Sequence, residues 1–315
     1  MHQKRPMRTT KILRAVVISQ LFAALAFCGQ ILDVSPRVGS DTAGLTVRSP
    51  LIPGDELDFR TCEGVIAGER DFGLFKVKLA PSSSGTGPGW MVDGKNLRYA
   101  WTYPVGITVR FQGIVEPDGV VVEYEVENRT TNALDRVQIH TCITTTKAPS
   151  FFPDRKVIPA SQPGGAATTN YMELYDRLFL WQGGQPFAFA SSPLAEAQLH
   201  LAFMRAGEPP VKWGWWVNTP ETFDLPLVAA RSRDGKSLVA LSFDRAIWAS
   251  SNVGDDRACF HLFPSFGRIE IGGKSTVRGR LYVMKGSLEK LKKRAARDVE
   301  RQFPAPFPGG KSVRR

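Results

Sequence analysis

The 315-residue chain is short of the residue types that most directly announce chemistry: four Cys, four His, and no H-E-x-x-H or G-x-S-x-G motif. The first absence excludes a helix-borne metalloprotease site, and the second excludes the nucleophile elbow of an α/β-hydrolase. Nucleotide loops are missing as well. Gly272-Gly273-Lys274-Ser275 imitates the end of a phosphate-binding loop, but Gly267 is one residue out of register and strand-like residues flank it. Gly85-Thr86-Gly87-Pro88-Gly89 is interrupted by proline and no strand feeds it. The apolar run over residues 15–27, roughly 13 long, falls short of the about 20 that a transmembrane helix needs.

Charge of one sign is scarce where it would matter. The net charge is +11, yet residues 1–26 hold five basic and no acidic side chains, and residues 287–315 hold nine basic and three acidic. That leaves 27 of each between them, so the body is neutral and binding to nucleic acid is not expected. Lys4, Arg5, Arg8, Lys11 and Arg14 precede the apolar run, and Ala24-Leu25-Ala26 supplies an A-x-A cleavage signal, so residues 1–26 read as a secretory leader. The chain is therefore expected to be exported: periplasmic, extracellular or attached to the envelope. An uncleaved N-terminal anchor is the plainer alternative. The basic tail is a candidate for peripheral contact with an anionic envelope surface, set against a merely solvated charged face.

What is abundant is strand pattern. Ile107 to Phe111 alternates, Glu116-Pro117-Asp118-Gly119 makes a turn, and Val120, Val122, Tyr124 and Val126 alternate again, which predicts a hairpin. Further strands are expected over 238–243, 269–271 and 279–284, and no region repeats the strand and helix alternation of a parallel sheet. One helix is expected, at the end: Ser287 as N-cap, then Leu288, Leu291, Ala295 and Val299 at helical spacing until Pro304. The organisation is a leader (1–26), a β-sandwich body (27–286), an amphipathic helix (287–303) and a basic tail (304–315), with long surface loops at 81–89 and 159–167. Asn128-Arg129-Thr130 forms a glycosylation sequon. Glu123, Glu125 and Glu127 share one strand face, read as a solvent-facing edge.

Two segments mirror each other across the chain: His140-Thr141-Cys142 and Cys259-Phe260-His261. Side chains alternate along a strand, so each His shares a face with its own Cys. If the two strands are neighbours, four reactive side chains meet on one patch. Several roles fit it. The cysteines could pair as a disulfide, the four residues could hold zinc, or all four could be core residues with satisfied hydrogen bonds. Against zinc, a spacing of about 6.6 Å between residues i and i+2 strains a tetrahedral site, so no metal is assigned. Trp213 and Trp215 share a face in Lys212-Trp213-Gly214-Trp215-Trp216, and Phe152 and Arg155 follow the first patch after a short loop. Stacking on sugar rings suits such aromatics, with core packing the plainer role.

Residues 120–142, with Val126-Glu127-Asn128-Arg129-Thr130-Thr131-Asn132, Leu134 and Val137-Gln138-Ile139-His140, resemble the galactose mutarotase family. There, a strand, an Asn-containing turn and a second strand lead to an acid His. Ala258-Cys259-Phe260-His261 resembles the strand that carries the family's catalytic carboxylate, and Ile271-Gly272-Gly273-Lys274 with Arg280-Leu281-Tyr282 resembles the closing turn and strand. The resemblance implies an all-β fold, a large antiparallel β-supersandwich (galactose mutarotase-like) with one C-terminal helix here. It also implies a carbohydrate partner, no cofactor, and proton transfer at the anomeric or adjacent carbon of a sugar. His140 stands at the acid's place and His261 where the family has Glu, so these two are the expected catalytic pair, with Trp213, Trp215, Phe152 and Arg155 as substrate-binding candidates. Thr141-Cys142-Ile143 replaces the family's Pro-Tyr-Phe. A neutral His accepts protons near pH 7, so a His pair suits both roles. The alternative is a non-catalytic glycan-binding or structural envelope module.

Overall fold

The structure is a computed structural model, and it describes residues 32–37, 43–68, 70–72, 89–151, 156–158, 168–170, 176–189, 199–202, 217–218, 223–252 and 259–301. The leader, the Ser/Gly/Pro-rich stretches at 81–88 and 159–167, and the tail from 304 lie outside the described residues. So do Phe152, Asp154, Arg155, Trp213, Trp215 and Trp216.

In chain order the strands are β1 (Asp33–Pro36), β2 (Ala43–Arg48), β3 (Glu56–Ala67), β4 (Arg70–Phe72), β5 (Met91–Asp93), β6 (Asn96–Thr102), β7 (Ile107–Glu116), β8 (Gly119–Asn128), β9 (Leu134–Lys147) and β10 (Lys156–Ile158). There follow β11 (Thr168–Asn170), β12 (Leu178–Gln182), β13 (Gln185–Ala188), β14 (Leu199–Ala202), β15 (Val217–Asn218), β16 (Leu227–Arg231), β17 (Ser237–Phe243), β18 (Ala246–Asn252), β19 (Cys259–Ile269), β20 (Lys274–Lys285) and the helix α1 (Leu288–Glu300). Among the described residues, one sheet runs β1-β2-β3-β9-β19-β18-β14-β15 with β4 on β3. A second large sheet runs β13-β12-β16-β17-β20-β8-β7-β6-β5, and β10 pairs with β11 apart from both. Every described pairing is antiparallel except β14 with β15.

Period-two alternation decides which side chains meet between the sheets. Phe59, Ile139, Ile143, Phe260 and Leu262 from the first sheet join Phe111, Val122, Tyr124, Leu241 and Leu281 from the second in one buried core. Phe111 links Trp90, Tyr99 and Tyr124 at ring separations of 5.5, 5.2 and 5.2 Å. On the far side of the second sheet, Phe179, Trp181, Leu238 and Tyr282 form a separate cluster with Leu291 and Ala295 of α1. Ser287 caps that helix as expected, its side chain accepting from the Lys290 amide at 3.3 Å.

The hairpin forms with Glu116 opposite Gly119 and Ile107 opposite Asn128. Two local expectations are corrected, the strand over 269–271 and the glutamate edge, and the sequon takes on a structural role. The strand foreseen over 269–271 stops at Ile269, and Glu270 to Gly273 turn the chain from one sheet into the other, with Gly272 at φ +71°. Asn128 is fully buried and its amide donates to the Ile269 and Asn132 carbonyls, so the sequon asparagine is a structural clamp. Glu123, Glu125 and Glu127 lie on β8, between β7 and β20 rather than at an edge. They pair there with Arg278 at 2.6 Å, Arg110 at 2.6 Å and Arg129 at 2.7 Å.

The irregularity that matters most is in β3. Arg60 pairs with Cys142 and Gly64 with His140, so Thr61, Cys62 and Glu63 stand opposite the single residue Thr141. Two extra residues make a bulge. The core locks it: Tyr124 donates from its hydroxyl to the Thr61 carbonyl at 2.8 Å, the Thr61 hydroxyl lies 3.1 Å from that of Tyr99, and the Cys62 sulfur lies 3.8 Å from that of Tyr103. Tyr124→Phe, which removes a buried donor and leaves the Thr61 carbonyl short of a partner, is expected to cost about 1–3 kcal/mol in urea unfolding. A change below a few tenths of a kcal/mol would mean that this bond does not hold the bulge.

Candidate functional site

The strands β9 and β19 are neighbours, with His261 directly opposite Cys142 and Cys259 opposite Thr144. Ile139 and Ile143 point into the core, so Gln138, His140, Cys142 and Thr144 occupy the other face of the sheet, and Cys259, His261 and Phe263 share it. One cross-strand row therefore runs Arg60, Cys142, His261, Ser250 and His200 across β3, β9, β19, β18 and β14. The patch foreseen from the mirrored pairs exists. The His140 and His261 rings lie 4.7 Å apart.

The patch has a member that sequence periodicity hides. In a regular strand Arg60 and Glu63, three apart, would face opposite ways; the bulge turns both toward His140. Glu63 Oε1 lies 2.6 Å from Arg60 Nη1, and Glu63 Oε2 lies 3.4 Å from His140 Nε2. Arg60 also reaches Asp58 at 3.3 Å, which Arg37 holds at 2.6 Å. The walls are apolar: Phe263 stacks on His140 at 4.6 Å, and Trp248 lies 5.4 Å from Phe263 and donates its indole N–H to Gln138.

Solvent is excluded. Glu63, His140, Cys142, Cys259 and His261 are between 1% and 4% exposed. Dryness sets the protonation states. Burial pushes the Glu63 carboxyl up, but the Arg60 guanidinium paired with it, and the nearby His261, outweigh burial and hold it below its ordinary value. Burial is also the main force on His140, pushed down to about 3 against the pull of Glu63, so this imidazole is neutral at pH 7. Burial lowers His261 too, but the ionised Glu63 carboxylate nearby pulls the other way and the net direction is up. The Cys142 thiol is driven far above its usual range, first by burial and then by the neighbouring Cys259.

Cys62, Cys142 and Cys259 are thiols. The Cys259 sulfur lies 3.6 Å from His261 Nε2, and His261 Nδ1 lies 3.0 Å from the Ser250 hydroxyl. The expectation that strand spacing keeps i and i+2 ligands apart is thereby overturned, because the side chains lean together although their Cα atoms do not. Glu63, His140 and His261 likewise bring their ligand atoms within 4.8 Å of one another. The site thus offers a carboxylate, two imidazoles and two sulfurs on one dry face.

No family model and no curated protein matches the chain. Among solved structures, the chain is similar to the Slr1438 protein of Synechocystis sp. PCC 6803, at 12% identity and a TM-score of 0.40 over 82% of this chain and 93% of that one. It is similar to a galactose mutarotase related enzyme from Lactobacillus acidophilus, at 8% identity and 0.38 over 83% and 97%. It is also similar to a polysaccharide lyase, at 10% identity and 0.40 over 86% of this chain but only 34% of that one. The fold class is the one the sequence led us to expect, large antiparallel sheets stacked face to face with one C-terminal helix, and galactose mutarotase-like proteins are among its structural neighbours.

Removing Arg60 would take away the guanidinium that pairs with the buried Glu63 carboxylate. Arg60→Ala is expected to destabilise the fold by about 3–5 kcal/mol in urea unfolding, and adding Glu63→Gln should recover a large part of that loss. Simple additivity of the two changes would show that the pair is not coupled.

Proposed function

We propose that the chain is an exported carbohydrate-handling protein that acts by proton transfer at the anomeric or adjacent carbon of a sugar, with Glu63, His140 and His261 as the exchanging groups. The observation that carries this reading is the Glu63 carboxylate 3.4 Å from His140 Nε2, on a sheet face shared with His261. The resemblance to mutarotases implied a carboxylate partner for the acid His, and position 261 lacks one. The bulge in β3 supplies it from another strand. Opening a hemiacetal ring needs one group to take the anomeric hydroxyl proton and another to protonate the ring oxygen; the ionised Glu63 carboxylate suits the first task, and His261, the imidazole whose proton affinity is raised, suits the second. The partner is then a free sugar or glycan end, the route out of the cell is the leader at residues 1–26, and the basic tail contacts the envelope.

A second reading has its own observation. His140 and His261 are 4% and 1% exposed, as expected of a centre that holds the sheet while glycan binds elsewhere, with Trp213 and Trp215 as the platform. The two readings separate by experiment. Anomer exchange followed by NMR on a panel of free sugars should be faster with the wild-type chain, and Glu63→Gln or His140→Ala should slow it about 100-fold or more. Unchanged exchange in folded variants would sink the catalytic reading. Glycan-array binding that survives loss of both His but not of Trp213 and Trp215 would establish the second.

A further inference from the structure

We propose that Cys142, Cys259 and His261 form a binding site for one thiophilic divalent cation of the zinc class. The site stands on its own geometry, whether or not the chain acts on sugars. The three ligand atoms already lie within 4.8 Å of one another. A tetrahedral zinc, with zinc–sulfur bonds near 2.3 Å and zinc–nitrogen bonds near 2.0–2.1 Å, sets its sulfur and nitrogen ligands about 3.6 Å apart. That is the separation of the Cys259 sulfur and His261 Nε2, 3.6 Å. Two neighbouring strands supply the set: Cys142 sits across from His261, and Cys259 sits two residues before it.

The orientation of His261 is a separate observation. Its Nδ1 lies 3.0 Å from the Ser250 hydroxyl, which can accept the Nδ1 proton when a cation takes the lone pair of Nε2 on the side of the sulfurs. An outer partner that fixes the tautomer in this way is what metal-ligating histidines usually have. Burial supplies a closed shell, with Cys142, Cys259 and His261 at 1–2% exposure. Charge is balanced as well. A dication offsets two thiolates, and Arg60 offsets Glu63, so the loaded centre carries no net charge into a dry site. Loading expels two thiol protons, because thiolates are the ligands. Glu63 and His140 bring ligand atoms within 4.8 Å of one in His261, so further donors stand near the set.

The test uses the full chain, made metal-free and reduced, then titrated with Co²⁺ and competed with Zn²⁺. One equivalent of cobalt should bind with a near-ultraviolet thiolate-to-cobalt band and the visible spectrum of a tetrahedral ion. Cys142→Ser, Cys259→Ser and His261→Ala should each weaken binding by on the order of 100-fold or more, and Ser250→Ala about ten-fold. Cys62→Ser, which alters a thiol packed in the core between the sheets, should leave the spectrum as it is. The wild-type spectrum decides the matter even if a variant fails to fold. Absence of the thiolate band from the folded chain would overturn the site, as would its survival in both serine variants. So would a Cys142–Cys259 disulfide, with a mass two hydrogens lower, that persists under reducing conditions. Cobalt binding without anomer exchange would remove the catalytic reading and keep this site; exchange by a chain that binds no metal would do the reverse.

Discussion

The arrangement of the candidate centre depends on one backbone constraint: three residues of β3 must fit opposite a single residue of β9. A bulge of this kind exposes backbone groups that the ladder would otherwise satisfy, and in a buried sheet those groups need other partners. The second sheet provides one, through the Tyr124 hydroxyl on the Thr61 carbonyl, while Thr61 and Cys62 are packed against Tyr99 and Tyr103. With those two residues held in the core, Glu63 has to leave on the other side, beside Arg60 and His140. The inter-sheet packing and the polar centre are in this sense one construction. The aromatic residues that fill the interior also aim the carboxylate on the far face.

Much of this was legible in the sequence where a simple period applied. Alternation along Val120, Val122, Tyr124 and Val126 gave a core-facing strand, and a helix was readable from Ser287 and the spacing of Leu288, Leu291 and Ala295. The mirrored His and Cys residues met because the same period puts each pair on one face and the fold makes their strands neighbours. Glu63 was not legible, for the opposite reason. Its place depends on two inserted residues, and period two assigns it to the core face, where a lone carboxylate would count as an unlikely core residue. A signal was present nonetheless: Arg60 and Glu63 in the middle of Glu56–Ala67, beside Phe59 and Cys62, are hard to bury unless they face one another. Ile271 misled in another way, since Ile269-Glu270-Ile271 keeps period two although the chain already turns there between sheets, ahead of Gly272 and Gly273.

Dryness then decides what the centre can do. In water a carboxylate, two imidazoles and two thiols would titrate almost independently. Here burial keeps His140 neutral and the Cys142 thiol protonated, while Arg60 and its neighbours keep Glu63 ionised. Such a set is poised in two senses: the Glu63 side can take up a proton, and the Cys142, Cys259 and His261 side can accept a cation once its thiol protons leave. His261 belongs to both halves, through its ring beside His140 and its Nε2 beside Cys259. That shared residue is why proton transfer and metal binding must be measured on the same variants.

The central claim is that the β3 bulge brings the Glu63 carboxylate into energetic contact with His140. A double-mutant cycle with Glu63→Gln and His140→Gln, read by urea unfolding, tests it most directly. The account predicts a coupling of about 0.5–3 kcal/mol between the two positions, as for residues in one buried network. Additivity within about 0.3–0.5 kcal/mol would contradict it, and would place the two side chains in separate environments.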